Sequence, residues 1–376
     1  MASYRRRMTG TRGDAAVRRE DGVAGTAATT AVPTAPRPWW NRVGWALHAL
    51  LRFALILLMQ AYVWSKLNLS QMGRADYSEA LVMTGEKSPM GLLWGLMAYS
   101  PVIQFLAGFA ELVVVLLLVF WRTAWIGGLL GTVALGTVFL LNMTYDVPVK
   151  QFALALTVGF ALVAAPELPR VVRFLAGRPT AATEGSPRLL PWPRVRRVTR
   201  WLVPALGLVL IAAMGVLFQQ VQPPFQRSDV ALAGVYRVVE DPTAPAARLA
   251  DDRRWQHVAV GQWTYVGPSI PIPGYPQSGS AGISLRLADS TFVRGTWRPV
   301  GDRTIRVEWN APQSGATSLV EPAVRTAELT WTPRPDGRVE LTGDGQRLVL
   351  ESDQELRFLY DRGFSWDEGN GAAVNR

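Results

Sequence analysis

Five long apolar blocks, residues 43–65, 101–121, 124–145, 148–166 and 201–218, interrupt a chain that is otherwise mixed in polarity. Each holds about 18–23 residues, enough at 1.5 Å per residue for a helix to cross a hydrocarbon layer about 30 Å thick. The pattern therefore predicts five transmembrane helices. The first block exceeds the core of a signal peptide and has no small-residue cleavage pattern after it, so it is expected to remain as an anchor. "PMGLLWGLMAYSP" (89–101) is too short to span and is expected to lie along the outer surface or to re-enter slightly.

From about residue 225 the period changes. "GVYRVV", "WQHVAV", "QWTYVG", "GISLRL", "TFVRGTW", "RTIRVEW", "RTAELTW", "GRVEL", "QRLVL" and "LRFLY" are short alternating or β-branched runs parted by Gly, Pro, Asp and Asn. Read as strands, with "RPDGR" (334–338) as a tight turn, they predict an antiparallel meander closed into a small barrel or sandwich. Such a barrel either holds a small apolar ligand, with Trp255, His257, Trp263 and Tyr265 lining the cavity, or is filled by its own side chains.

The fold class that follows is an α-helical membrane bundle, a four-helix unit plus a fifth transmembrane helix, followed by an all-β antiparallel barrel or sandwich domain. Residues 1–40, rich in Ala, Thr, Gly, Arg and Pro, are expected to form a disordered cytoplasmic tail. The four-helix domain is placed at 41–176, a basic cytoplasmic linker at 177–199, the fifth helix at 200–221 and the extracytoplasmic β-domain at 225–376.

A net charge of +10 suggests nucleic acid in a soluble protein, but here the arginines flank apolar spans, and topology explains them. Arg5, Arg6, Arg7, Arg12, Arg18, Arg19, Arg37 and Arg42 precede the first span, and Arg122 lies between the second and third. Arg170, Arg173, Arg178, Arg188, Arg194, Arg196, Arg197 and Arg200 lie between the fourth and fifth. All three groups are expected to place the amino terminus on the cytoplasmic side and the β-domain on the other, with no nucleic-acid partner. Tryptophans 39, 40, 45, 121, 125, 192 and 201 gather at the inner boundary. The chain has no cysteine, which excludes thiol exchange and thiolate-held iron–sulfur or zinc sites. With only His48 and His257 available, a multi-histidine metal or haem site is not expected either.

Within the spans, two opposite charges draw attention. Counted from Val43 and Trp121, Arg52 and Glu111 lie at matching depths of about 13–15 Å, where an isolated charge costs about 2.5–3.5 kcal/mol. They are the expected pair, either fixing which helices touch or setting the electrostatics of a site. Ser100, Gln104 and Glu111 form a polar stripe on the second span that suggests a lined access route. Tyr62 and Lys66, and Asn142, Tyr145 and Asp146 followed by Lys150, point to the outer half. Of the 39 Lys and Arg residues only three are lysine, at 66, 87 and 150, all in the outer layer. An ammonium at 66 or 150 either serves a site or reaches to headgroups. "GGLLG" (127–131) is expected to allow close helix packing.

"LLRFALILLMQAYVWSKLNLSQM" (50–72), "SPVIQFLAGFAELVVVLLLVFWRTAWIGGLL" (100–130) and "LLNMTYDVPVKQFALAL" (140–156) together resemble the DoxX-like integral membrane proteins. The similarity spans about residues 43–175 and extends to the closing "RGFSWDEG" (362–369) of long members. The matching positions are Arg52, Lys66 and Glu111, with Asn142, Tyr145, Asp146 and Lys150 in "N-x-x-YDVPVK". Where many relatives carry glycine ahead of the helix-one lysine, this chain has Tyr62, Val63 and Trp64, leaving less room for a ligand.

The resemblance implies a four-helix membrane unit linked to membrane redox complexes, some relatives being named as subunits of a thiosulfate:quinone oxidoreductase. The expectation is a subunit binding a quinone or small oxidisable ligand in the outer half of the bundle. Arg52 and Glu111 would set its electrostatics; Tyr62, Lys66, Ser100, Gln104, Asn142, Tyr145, Asp146 and Lys150 would meet the ligand. No motif encodes an electron carrier, so a bound quinone or a partner subunit would be needed. The alternative is a non-enzymatic scaffold whose external β-domain binds an envelope protein or lipid-like molecule.

Overall fold

The computed structural model describes residues 39–180, 192–265, 278–310 and 323–362. The expected tail, most of the loop around Pro187 and "RGFSWDEG" beyond Arg362 lie outside these residues. The chain begins with helices α1 (Trp39–Leu67), α2 (Pro89–Tyr99), α3 (Pro101–Val119), α4 (Ala124–Thr144), α5 (Lys150–Ala164), α6 (Leu168–Leu175) and α7 (Pro193–Val221). Five stretches, Trp40–Leu67, Pro101–Val119, Ala124–Thr144, Lys150–Leu175 and Pro193–Val221, are long and apolar enough to cross a membrane. The fifth begins earlier than the sequence reading placed it. Pro193 occupies a first-turn position, where its fixed φ suits helix initiation, and Arg194, Arg196 and Arg197, expected in a linker, ride on the helix instead.

"PMGLLWGLMAYSP" forms α2, and Ser100 separates it from α3. The Ser100 hydroxyl caps α3 by accepting from the Ile103 N–H, and Pro101 follows at the first helical position. The "GGLLG" run packs as expected. A Cβ on Gly127 would lie 3.1 Å from the Val114 carbonyl, one on Gly128 would lie 2.8 Å from the Ala164 nitrogen, and Gly131 seats the Phe160 ring. α4 thereby meets α3 and α5 backbone to backbone, which an isolated helix has no reason to do in lipid without such small residues. The bundle core is Leu55, Met59, Val63, Val115, Leu118 and Phe160 with their neighbours. α7 packs on the flank of this core, contributing Ile211 to it and resting Gly215 on Trp64 and Gly207 on Val119.

The β-domain comprises β1 (Gln226–Arg227), β2 (Gly234–Glu240), β3 (Trp255–Tyr265), β4 (Ser280–Leu287), β5 (Phe292–Gly301), β6 (Thr304–Asn310), β7 (Ala323–Pro333), β8 (Val339–Gly343) and β9 (Gln346–Ser352). β2 to β9 form a closed antiparallel eight-stranded barrel, with β9 returning to β2; two-residue β1 adds to β3. "RPDGR" is the β7–β8 turn, where Gly337 adopts φ +81° and the Arg334 N–H donates to the Arg338 carbonyl. "WQHVAV" and "QWTY" (262–265) are one bulged strand, β3.

"LRFLY" is not a strand but part of helix α8 (Gln354–Asp361). Leu356 and Tyr360 serve either period. The Asp353 carboxylate decides for the helix by accepting from the Glu355 and Leu356 N–H groups.

Large apolar side chains fill the barrel, among them Trp255, Ile283, Leu285, Trp297, Val307 and Trp309. Of the residues expected to line a cavity, only Trp255 belongs to this core, where its ring meets Trp309 edge-on. His257 lies 3.9 Å from Asp353, Trp263 bonds a segment outside the barrel, and Tyr265 packs against Phe225. The filled-barrel alternative is the one that holds.

Candidate functional site

The charged pair inside the bundle is Lys66 with Glu111, not Arg52 with Glu111. The Lys66 Nζ donates to Glu111 Oε1, and the two residues are only 4% and 3% exposed. Gly108, one turn before Glu111 on α3, makes the approach feasible: a Cβ there would lie 2.8 Å from the Lys66 Cβ and 3.0 Å from the Leu67 nitrogen. The ammonium also sits 5.5 Å from the centre of the Tyr62 ring, which in turn stacks on Phe152 of α5. Glu111 Oε2 is buried without a hydrogen-bond partner among the described residues.

Arg52 does different work near the opposite end of α3. Its guanidinium donates to the Leu118 carbonyl at 2.8 and 3.1 Å and to the Val119 carbonyl at 3.2 Å, and lies 5.0 Å from the Trp121 ring centre. It satisfies carbonyls that a helix terminus leaves without intrahelical donors. Matching depths from Val43 and Trp121 misled because the two helices do not end level. Residue 52 stands beside residues 118–119, so the earlier part of α1 projects past the end of α3, while Lys66 stands beside Gly108. Arg52 and Lys66 are about 20 Å apart along α1.

Ser100 and Gln104 of the polar stripe on α3 are engaged by backbone groups rather than lining a route. Ser100 caps the helix, and fully buried Gln104 accepts from the Met72 N–H and donates to the Gly73 carbonyl, fixing the chain that leaves α1. Asn142 is buried in α4. Tyr145 is half-buried and exposed Asp146 pairs with Lys150 across the α4–α5 turn. The candidate site thus separates into buried Lys66 and Glu111 with half-buried Tyr62 beside them, and a surface pair.

A constellation that sequence reasoning missed lies between bundle and barrel. The segment from Arg74 to Lys87 runs along the outer wall of β3 and β4. Asp76, 9% exposed, accepts from the N–H groups of Gln262 (2.7 Å) and Trp263 (3.3 Å) and from the Ser78 hydroxyl (2.5 Å). These N–H groups fall where β3 shifts register against β4, so the carboxylate takes the place of a missing strand partner. The Trp263 indole donates to the Ala75 carbonyl at 3.0 Å, beneath the Arg74 guanidinium.

Further along, Arg286 forks onto Glu86 at 2.7 and 2.8 Å and donates to the Leu81 carbonyl, while Arg294 reaches Glu79 at 3.1 Å. The Tyr77 hydroxyl donates to Asp361 of α8 at 2.5 Å. Tyr77 and Leu81 share a small core with Val235 and Ala259 on the barrel exterior. The signal in the sequence was the acid spacing Asp76, Glu79 and Glu86 against Arg286 and Arg294. Only the barrel's register brings these together.

Burial pushes the Asp76 carboxyl above the usual carboxylate range, against the opposing pull of its hydrogen bonds. The folded chain therefore takes up this proton more readily than the unfolded one. The cost of burying the charge is full at neutral pH and relieved as pH falls through the raised value. Asp76→Asn removes that relief while keeping an oxygen for both N–H groups. The stability of the parent protein relative to Asp76→Asn should rise in thermal melts as pH falls from neutral through the raised carboxyl value; a constant difference would refute the assignment.

No protein-family profile matches this chain, and no curated protein or solved structure does either.

Proposed function

We propose that this chain is a DoxX-like platform of a bacterial inner membrane, with its amino terminus in the cytoplasm, that presents its barrel on the periplasmic side for docking an envelope protein. The observation carrying this reading is the Arg74–Lys87 segment, which fastens the barrel wall to the α1–α3 connection through Asp76, Glu79 and Glu86. A tethered module needs no such fastening. A surface held in fixed orientation does, since preorganisation lowers the entropy lost on binding. The packed barrel interior directs recognition to its outer surface.

A second reading, a quinone-linked oxidoreductase subunit, draws on Glu111 Oε2. A buried acceptor without a donor is what the hydroxyl of a small oxidisable ligand would satisfy, and Lys66 and Tyr62 stand beside it. Purification of the full chain in mild detergent, followed by mass spectrometry of co-purifying proteins and small molecules, separates the two. A stoichiometric protein lost on Arg286→Ala supports the platform. A quinone lost on Glu111→Gln, with no such protein, overturns it in favour of the second reading.

A further inference from the structure

At the end of the bundle away from the barrel, a groove of about 520 Å³ opens between α1 and α5. One face of α1 supplies Asn41, Gly44, Trp45, His48 and Leu51; Leu162 and Pro166 form the far wall. The groove has apolar sides and a polar, aromatic rim, and both walls belong to stretches apolar enough to span a membrane. Walls of this kind would meet lipid.

Three features select the occupant. The groove is an apolar slot, suited to an alkyl chain. Pro166 has no N–H, so the carbonyl of Leu162, a groove-lining residue four positions earlier, lacks the usual i+4 helical donor. The adjoining Val163 carbonyl is already engaged by His48 Nε2 at 3.1 Å, so the ring nitrogen on that bond carries the proton and offers the groove no second donor. Basic side chains edge the same end: exposed Arg42 follows Asn41, and Arg170, one turn beyond Pro166, lies 3.6 Å from Glu167.

We propose that this groove is a binding site for an anionic, hydroxyl-bearing phospholipid of the phosphatidylglycerol type, in the leaflet opposite the barrel. One acyl chain lies along Gly44, Leu51 and Leu162. The phosphate faces Arg42 and Arg170, and a headgroup hydroxyl donates to the Leu162 carbonyl. The site is independent of the barrel and of the Lys66–Glu111 pair.

Gly44 supplies a clean test, because a Cβ there meets nothing within 4 Å. Gly44→Leu fills the slot without disturbing the packing. The full chain, exchanged into detergent containing phosphatidylglycerol, phosphatidylcholine of matched chains or the free fatty acid, is examined by native mass spectrometry. The expected result is one retained phosphatidylglycerol per chain, several-fold less in Gly44→Leu at unchanged melting temperature. Arg42→Gln with Arg170→Gln should erase the preference over phosphatidylcholine. Equal retention of all three probes by the parent protein, or undiminished phosphatidylglycerol in Gly44→Leu, overturns the proposal.

Discussion

Lys66→Met and Glu111→Leu, made singly, should each destabilise the bundle by about 3–5 kcal/mol, and the double variant should recover most of that loss. Each single change leaves one charge without its partner in a place nearly closed to solvent. The double change removes both charges and substitutes apolar volume, which buried ion pairs often tolerate at little cost. Tyr62 and Gly108 shape the space around the ammonium, so methionine, unbranched and flexible, is the suitable replacement. Reversible unfolding in mixed micelles gives the cycle directly. Additive single effects would mean that the two groups do not stabilise one another. Arg52→Met provides the contrast: it removes donors from the Leu118 and Val119 carbonyls, so its effect should add to that of Glu111→Leu within about 0.5 kcal/mol.

That contrast marks where the sequence was legible. Span length follows from bilayer thickness, and strand alternation follows from a barrel with one packed face, so five long helices and a closed antiparallel sheet could be read from local pattern alone. The partner of Glu111 could not. It depends on how far α1 slides past α3, and that offset is set by Gly108 accepting the Lys66 backbone at close range and by Arg52 reaching the last carbonyls of α3. Neither contact leaves a periodic trace. Tyr62 and Lys66 were read as outer-half residues and Glu111 as the partner of Arg52, because ionisable groups in apolar runs are conspicuous; that Lys66 is the residue meeting Glu111 was not read. Ser100 and Gln104 were chosen for the same reason and turned out to hold backbone in place. The Asp76 constellation left no more than an acid spacing in the sequence, because its carboxylate is matched to a strand bulge and to two glycines, Gly261 and Gly282, about two hundred residues away.

Gly282→Ala should release the Arg74–Lys87 segment from the barrel while leaving the barrel folded. An added Cβ at 282 would lie 2.4 Å from the Ser78 hydroxyl oxygen, 2.8 Å from the Ser78 Cβ and 3.5 Å from Asp76 Oδ2, its three nearest contacts and all on the segment. Ala281 and Ile283 point into the packed interior on either side, so the alanine methyl adds nothing to that core. Overpacking of this kind costs about 1–3 kcal/mol, and here the cheapest relief is outward movement of the segment rather than distortion of an eight-stranded ladder. Movement at Ser78 withdraws Asp76 from the Gln262 and Trp263 N–H groups and strains the Arg286–Glu86 fork beyond it, so the local effect spreads along the segment. Limited proteolysis should then cut between Arg74 and Lys87 in Gly282→Ala but not in the parent protein, with the far-ultraviolet β signal and the barrel's melting transition retained. Ser78→Gly in the same chain removes the clashing atoms and should restore part of the protection. Loss of the barrel's own transition in Gly282→Ala would show instead that the wall of β4 cannot fold without the segment laid against it.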